Sequence, residues 1–571
     1  MRQLFTARET LNSPEDGYRV SARFEGMLLT KAQAFSPTSS SVAAIIDDIS
    51  WGGSSGSPAT VAYSFSKIST HGGTLFGSEA QTAALQVMQH FSDVANITFN
   101  NTSSVTADLA FSQAGMASGT LGLTYTSYSG ASIASAEVQL TSNYTSNFGA
   151  GNDAYLTLLH ELGHAVGFKH PGNYSGSETA PFLSSAEDTN DASVMSYNSG
   201  TYATFSTPPQ TLMIYDIAAL QFLYGANSSY HSGDNGYSFD GSGMIQTIWD
   251  GGGSGDMISA QSYTAGANTT IDLREGLSNI THIGNDHVWI AVGANIERAE
   301  GSNGADTIYG NSLANTLFGM SGADISYGGE GADTIYGGTG IVSPVDGDDQ
   351  IFGEGGSDYL YGNGGNDTIY GGTGIADPND AADTIYGGGG SDAVYGNGGD
   401  DSLSGGGSAV DPNDASDTVY GGGGADTIYG NGGNDFLFGG GSTVDPNDAA
   451  DLIYAGVGDD SILGNGGNDT IYGNEGNDTM QAGVGDDVYA FGNDSGVDLI
   501  QLFDNPGAGA GDVIQLLANL NGSGIHSATD ALAHVTYANN QAIIDLSGGN
   551  TITIDGIASG ALTVEDFLIL A

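Results

Sequence analysis

Three histidines and a glutamate fall within eleven residues in the stretch HELGHAVGFKHPG, His160 to Gly172, of a chain with ten histidines in all. His160 and His164 are four apart, so on a helix they project from one face a turn apart and can grip one ion. Glu161 follows the first of them, where it reaches a water held by that ion. Gly167 lies three residues past His164 and is placed to end the helix in a left-handed conformation. The chain can then turn and bring His170 to the same metal. Three neutral imidazoles with one open position describe a catalytic zinc site. The alternative is a helix that merely carries imidazoles, or a metal-free relic of such a site. Five fixed positions recur by chance far less than roughly once per million windows, which favours the metal.

The element that must position these groups is itself readable. NDAYLTLLHELGHAVGF predicts a helix with Asn152 or Asp153 as its cap and an apolar face of Leu156, Leu159, Leu162 and Val166. The other histidines, His71, His90, His231, His282, His287, His526 and His534, lack ligand spacing and read as structural or surface residues.

From about Gly304 the sequence runs in nonapeptides such as GADTIYGNS and GNDTIYGGT. The recurring acid falls at Asp306, Asp324, Asp333, Asp349, Asp358, Asp367, Asp383, Asp392, Asp401, Asp417, Asp426, Asp435, Asp451, Asp460, Asp469, Asp478 and Asp487, with Asn315 in its place once. Steps are nine residues except four of sixteen, which carry seven-residue insertions such as IADPNDA. This is the G-G-x-G-x-D-x-U-x repeat of a calcium-binding parallel β-helix. Glycines permit positive φ and close backbone approach to an ion, and the aspartates supply hard oxygen ligands suited to Ca²⁺. Two residues after each acid an aliphatic side chain points into a narrow core, as at Ile308, Leu317, Ile335 and Ile351; Ser326 breaks that rule.

If nine residues make half a coil, aspartates eighteen apart stack on one side, and successive insertions fall on alternating sides. Ser326 and Asn315 predict a weaker first site or two. The insertion acids, such as Asp377, Asp380, Asp411 and Asp414, read as calcium ligands or as solvated loop. Without calcium this half is expected to be disordered, because binding energy there is folding energy.

Composition narrows the function. Lysine and arginine total 9 against 66 acids, a formal net charge of −57, and residues 241–571 hold 47 of the acids with only 2 bases. Nothing here neutralises phosphates, so nucleic acid is excluded as a partner. Like-charge repulsion favours a monomer. With no cysteine, there is neither a disulfide nor a thiolate ligand. No segment reaches the roughly 18 apolar residues of a membrane span, and the opening MRQLFTARETLNSPEDGYRV has no apolar signal-peptide core.

H-E-x-x-H-x-x-G-x-x-H resembles the metzincin motif, and Pro171 after the third histidine resembles the serralysin branch. A Met-turn follows as SVMSY, Ser193 to Tyr197, with Met195 twenty-five residues past His170. The resemblance continues through ISWGG at Ile49, ATVAYSF at Ala59, the helical EAQTAALQVMQHFSDV, and LMIYDIAALQFLYGAN, TIWDGGGSGDMISA and TIDLREG beyond the site. It implies that Met195 forms the floor under the zinc. It implies that Tyr197 ligates the metal at rest and supports the oxyanion in turnover, with Glu161 as the general base. SAEVQL, Ser135–Leu140, would be the edge strand on which an extended substrate lies. Asn198 departs from the tryptophan usual after that tyrosine.

The expected fold is an α+β metzincin-type zinc protease domain followed by an all-β parallel β-roll. Its expected parts are a pro-segment or disordered start (1–20), the protease domain (21–240), a bridging segment (241–300), the nonapeptide roll (301–490) and a C-terminal β cap with secretion signal (491–571). The expected activity is that of a secreted endopeptidase of broad specificity, with one catalytic zinc and several structural calcium ions, acting on proteins or peptides. EDFLILA, Glu565–Ala571, resembles the uncleaved signal read by type I secretion machines, and a terminal strand would give the same pattern. The rivals are a calcium-dependent surface-binding protein whose protease-like domain is inactive, and a zinc hydrolase with one narrow target.

Overall fold

The computed structural model describes residues 40–571 apart from 177, 205, 265, 341–345, 373–380, 407–414, 441–448 and 505–510. The expected pro-segment and the insertion acids Asp377, Asp380, Asp411 and Asp414 lie outside the described residues.

The first part packs helices on a sheet. In chain order it comprises α1 (Ser40–Ile45), β1 (Ala59–Ser64), β2 (Thr74–Leu75), α2 (Ser78–Val94), β3 (Ile97–Asn101), β4 (Leu109–Ala114), β5 (Gly122–Ser129), β6 (Ser132–Thr141), α3 (Asp153–Ala165) and α4 (Ile214–Tyr224). On α2, Ala80, Ala83, Ala84, Val87, Met88, Phe91 and Val94 are buried at helical spacing, which is why this stretch folds as one long amphipathic helix. Almost all of α3 is buried, from Ala154 to Gly163; it lies against β5 and β6 on one side and α2 on another.

The sheet order is β3-β1-β4-β6-β5. Neighbours along it are parallel until β5, which runs antiparallel to β6. This corrects one expectation: SAEVQL belongs to β6, which is enclosed between β4 and β5, and the free edge is β5. The misreading has a simple cause. Alternation marks a strand but not its neighbours, and β5 and β6 are joined by a tight turn that places either one at the edge.

The second part is a roll of two parallel sheets whose strands alternate along the chain. Leu317 stands beside Ile335 and then Leu360 in one sheet, and Ile351 beside Ile369 in the other. These side chains are fully buried between the sheets. One coil is therefore two repeats, and an insertion lengthens the coil that contains it. Ser326 occupies an inward position and is buried there with its hydroxyl unpartnered. Glycine is obligatory at the coil corners: at Gly356, φ is +128° and a Cβ would lie 1.4 Å from the Gly331 carbonyl oxygen. The roll closes on an antiparallel meander, Val535–Ala538, Gln541–Asp545 and Thr551–Asp555, and Phe567–Leu570 pairs parallel with Val513–Leu517. No described helix is long and apolar enough to cross a membrane.

Candidate metal centre and calcium ladders

Helix α3 carries His160, Glu161 and His164 and ends as its sequence demands. Gly167 has φ +108°, and a Cβ there would lie 2.2 Å from the Ile49 carbonyl oxygen. The reversal returns His170 to the helix, with its Nε2 3.2 Å from that of His160 and 3.1 Å from that of His164. At the other end the helix differs from expectation. Asn152 occupies the N-cap position but makes no side-chain cap bond; its amide donates to the Gly149 carbonyl instead.

The tautomers follow from the neighbours. His160 Nδ1 lies 2.9 Å from the Val194 carbonyl oxygen, and His164 Nδ1 lies 2.9 Å from that of Phe168. A carbonyl can only accept, so each Nδ1 carries the proton and each Nε2 keeps its lone pair for the shared point. Burial, with the mutual repulsion of the three rings, holds the imidazoles neutral: His160 titrates well below the usual range, His164 is lowered to about 4, and His170 is lowered by burial. Three converging lone pairs on neutral imidazoles fit a Zn²⁺ ion. Among the described residues this is the one group of three or more such side chains that close in on a common point.

Glu161 is buried beside the trio, and burial pushes its carboxyl up to about 7. The edge strand supports it. The Thr124 hydroxyl lies 2.7 Å from Glu161 Oε2 and 2.8 Å from its carbonyl oxygen. A Cβ on Gly122 would lie 2.6 Å from Glu161 Cγ, so a glycine is required where β5 passes the carboxylate. Neither residue stood out in the sequence, since nothing there tells which strand crosses above α3.

The turn Ser193–Tyr197 runs beneath the histidines. Met195 is fully buried, and a Cβ on Gly163 would lie 2.6 Å from its sulfur; this accounts for glycine inside the helix. Tyr197 is half-exposed, its ring 4.6 Å from His170, 5.4 Å from His160 and 4.6 Å from Tyr174 between centroids. Tyr174, whose hydroxyl donates to Asp188 Oδ1, was not singled out from the sequence. Asn198, the departure noted above, donates through Nδ2 to the Asp188 backbone oxygen and to its Oδ2. It therefore fixes the loop through hydrogen bonds where a larger ring would pack.

The repeat acids form two ladders. One runs Asp306, Asp324, Asp349, Asp367, Asp392, Asp417, Asp435, Asp460 and Asp478, each backbone N–H donating to Oδ1 of the next. The other runs Asn315, Asp333, Asp358, Asp383, Asp401, Asp426, Asp451, Asp469 and Asp487. Rungs are 18 residues apart, or 25 where an insertion intervenes, and the longer steps occur in both ladders. One insertion follows Asp333 of the second ladder and the next follows Asp367 of the first, so successive insertions fall on alternating sides of the roll.

Asp498 and Asp512 extend the ladders by a rung each; they stand outside the nonapeptide phase and so escaped the sequence pattern. At Asp324, Asp333, Asp349, Asp367, Asp460 and Asp478 the second oxygen, Oδ2, is buried without a hydrogen bond. Burial drives the carboxyls of Asp349 and Asp367 up to about 9 and about 8. Buried carboxylate oxygens with nothing to accept from call for cations, and an all-oxygen donor set suits Ca²⁺. Asp306 differs. Ser302 and Thr269 donate backbone N–H groups to its two oxygens, and Asn315 brings no carboxylate, so both ladders begin with rungs poorer in donors.

Comparison with known proteins agrees with this architecture. The RTX calcium-binding nonapeptide repeat model matches residues 293–325, 309–341, 345–375, 377–409, 411–442, 447–480, 454–489 and 463–497. Metallopeptidase AprA of Pseudomonas marginalis is 33% identical over 271 residues, 42% of this chain and 55% of that protein. Metalloprotease AprA of Pseudomonas entomophila (strain L48) is 36% identical over 261 residues, 40% of this chain and 52% of that one. Serralysin C of Dickeya chrysanthemi is 32% identical over 333 residues, 52% of this chain and 68% of that relative. The chain thus spans about half the length of the first two relatives and two thirds of the third. Its metals are zinc and calcium, and the chain belongs to the serralysin family of metalloproteases with RTX repeats.

Proposed function

We propose that this chain is a secreted zinc-dependent endopeptidase that hydrolyses internal peptide bonds of proteins with broad specificity. The observation that carries the reading is the convergence of three Nε2 lone pairs, from His160, His164 and His170, beside the buried carboxylate of Glu161. A zinc ion in that position supplies an acidified water and a Lewis acid for the scissile carbonyl.

The chain's own groups do the rest. Glu161 takes the proton of the attacking water at its carboxylate and hands it to the leaving amine, a task for which a pKa near neutrality is well matched. Tyr197, half-exposed against the imidazoles, donates its hydroxyl to the developing oxyanion. Met195 and Gly163 set the floor. An extended peptide adds to the free edge of β5, antiparallel to it, through backbone hydrogen bonds that tolerate varied side chains.

The roll takes up calcium along its aspartate ladders after export, and the C-terminal EDFLILA serves type I secretion machinery. The protein works as a monomer outside the cell.

The test is digestion of casein by wild type and by Glu161→Ala, each loaded with zinc and calcium. Cleavage by wild type alone, with zinc bound in both, supports the reading. Silence of both proteins with zinc bound and the roll folded overturns broad proteolysis and favours a binding protein or a single-target hydrolase.

A further inference from the structure

Tyr197 can serve the reaction only while its ring stays at the imidazoles, yet half of that side chain is exposed. A second tyrosine holds it. Tyr174 lies four residues past His170, in the loop that leaves the third histidine. Its ring stands 4.6 Å from that of Tyr197 between centroids, with the planes 21° apart. Tyr197 in turn stacks on His160, at 5.4 Å and 21°, and leans on His170, at 4.6 Å and 52°. Tyr174 itself reaches His170 at 5.6 Å. Ring pairs at such distances attract beyond the area they bury, so Tyr174 extends the wall of imidazoles by one more ring.

The hydroxyl of Tyr174 is committed elsewhere. It donates its one proton to Asp188 Oδ1, and its oxygen accepts the Tyr197 backbone N–H at 3.2 Å. The Ser196 hydroxyl donates to the same Asp188 Oδ1 at 2.7 Å, and Asn198 Nδ2 donates to Oδ2 at 3.0 Å. Burial, with the Asp188 carboxylate beside it, raises the Tyr174 hydroxyl above its usual range, so the proton stays in place. Space here is tight: a Cβ on Gly172 would lie 2.6 Å from Tyr174 Cε1. The Tyr197 hydroxyl, by contrast, makes no hydrogen bond among the described residues. Of the two phenols, one is tied to the scaffold and the other is left for chemistry.

We propose that Tyr174 is a positioning residue for Tyr197. Its ring is the stop against which the Tyr197 ring rests, and its hydroxyl ties the Tyr197 main chain to the buried Asp188. One side chain thereby holds Tyr197 at both its backbone and its ring. This role rests on the reading of Tyr197 as the hydrogen-bond donor to the oxyanion, and it accounts for how a half-exposed phenol keeps that place without a hydrogen bond of its own. Tyr174 donates nothing to substrate, because Asp188 holds its only proton, so whatever it contributes to turnover passes through Tyr197. Removing its hydroxyl alone releases the Tyr197 N–H and leaves the stacked ring where it is.

The test is digestion of dye-labelled casein by wild type, Tyr174→Phe, Tyr197→Phe and the double variant, each loaded with zinc and calcium. Turnover is normalised to zinc-bound protein, so that a partly folded sample is still read, and zinc affinity is measured by competition with a chelator. Tyr174→Phe is expected to lower kcat by about tenfold with KM within about twofold, the pattern of a contact made only in the transition state. Zinc affinity should match wild type. The double variant should be no slower than Tyr197→Phe alone, since residues that act as one unit are not additive. The proposal is overturned if Tyr174→Phe turns over like wild type, if its loss multiplies with that of Tyr197→Phe, or if zinc affinity falls together with kcat, as a purely structural role requires. Equal turnover by wild type and Tyr197→Phe overturns it as well, because nothing is then left to position. The endopeptidase reading fails in a different way: wild type itself then cuts nothing although zinc is bound, and the role of Tyr174 falls with it.

Discussion

The Asp216 carboxylate accepts the Val194 backbone N–H at 2.8 Å, and the carbonyl of that same Val194 holds the Nδ1 of His160. One buried acid on α4 thus orients a metal-binding imidazole two contacts away. Asp216 also accepts from the Ser193 hydroxyl and the Met213 backbone N–H, so it ties the Met-turn to the start of α4. Burial nevertheless raises its carboxyl to about 6.

The sign of the resulting pH dependence is fixed. A carboxyl whose folded pKa lies above its unfolded one contributes stability that is fully present below the unfolded value of 3.8 and lost as pH rises through about 6. At roughly 1.4 kcal/mol per unit, the change is about 3 kcal/mol. Asp216→Asn cannot titrate and leaves a donor facing donors. It should melt lower than wild type, and the gap should narrow as pH rises from 4 to about 7. Thermal melts of both proteins across that range check it; a constant gap would show that Asp216 does not titrate there.

Thr124 supports the base from the edge strand. Thr124→Val keeps the shape and removes the hydroxyl that bonds Glu161 Oε2. Losing one hydrogen bond to a charged group costs about 1.5–3 kcal/mol, so kcat/KM should fall by about tenfold or more, with zinc content unchanged. Equal turnover in the two proteins would mean that Glu161 is oriented without the strand.

Much of this was legible in the chain. The convergence of the three histidines, the helix that carries two of them, the reversal at Gly167 and the eighteen-residue coil each follow from local spacing, and local spacing survives folding. What could not be read depends on which elements become neighbours. The free edge belongs to β5 and not β6 because of a strand order set by the whole sheet. Gly122 and Thr124 matter only because that edge crosses Glu161, and Asp216 only because α4 docks beneath the Met-turn. Asp498 and Asp512 join the ladders by position in space after the nine-residue phase has lapsed.

Gly122→Ala tests the crossing itself. The added Cβ would lie 2.6 Å from Glu161 Cγ, 2.7 Å from its Oε1 and 2.8 Å from Thr157 Cγ2. Either the strand or the carboxylate must move by a good part of an ångström. Displacements near 1 Å cost about a hundredfold in rate, so kcat/KM should drop by about that factor while the protein still folds and still binds zinc. Turnover close to wild type would show that the strand edge yields freely, and would weaken the case that it positions substrate.

Removing calcium should separate the two halves of the chain. In the roll, the Oδ2 atoms of Asp324, Asp333, Asp349, Asp367, Asp460 and Asp478 are buried without a hydrogen bond, and each repeat contributes little more than one aliphatic side chain to the interior. Without cations that charge has no compensation, so chelation should abolish the β-sheet signal of the roll and leave the helical signal of α2 and α3. Re-addition of calcium should restore it cooperatively, because each rung bonds to the next through its backbone N–H. Asp349→Asn, in the middle of one ladder, should lower the number of ions bound and raise the calcium concentration needed for refolding. Circular dichroism during a calcium titration of wild type and variant measures both quantities. A roll that keeps its sheet signal in chelator would mean that aliphatic stacking alone suffices, and that the ladders bind calcium without folding on it.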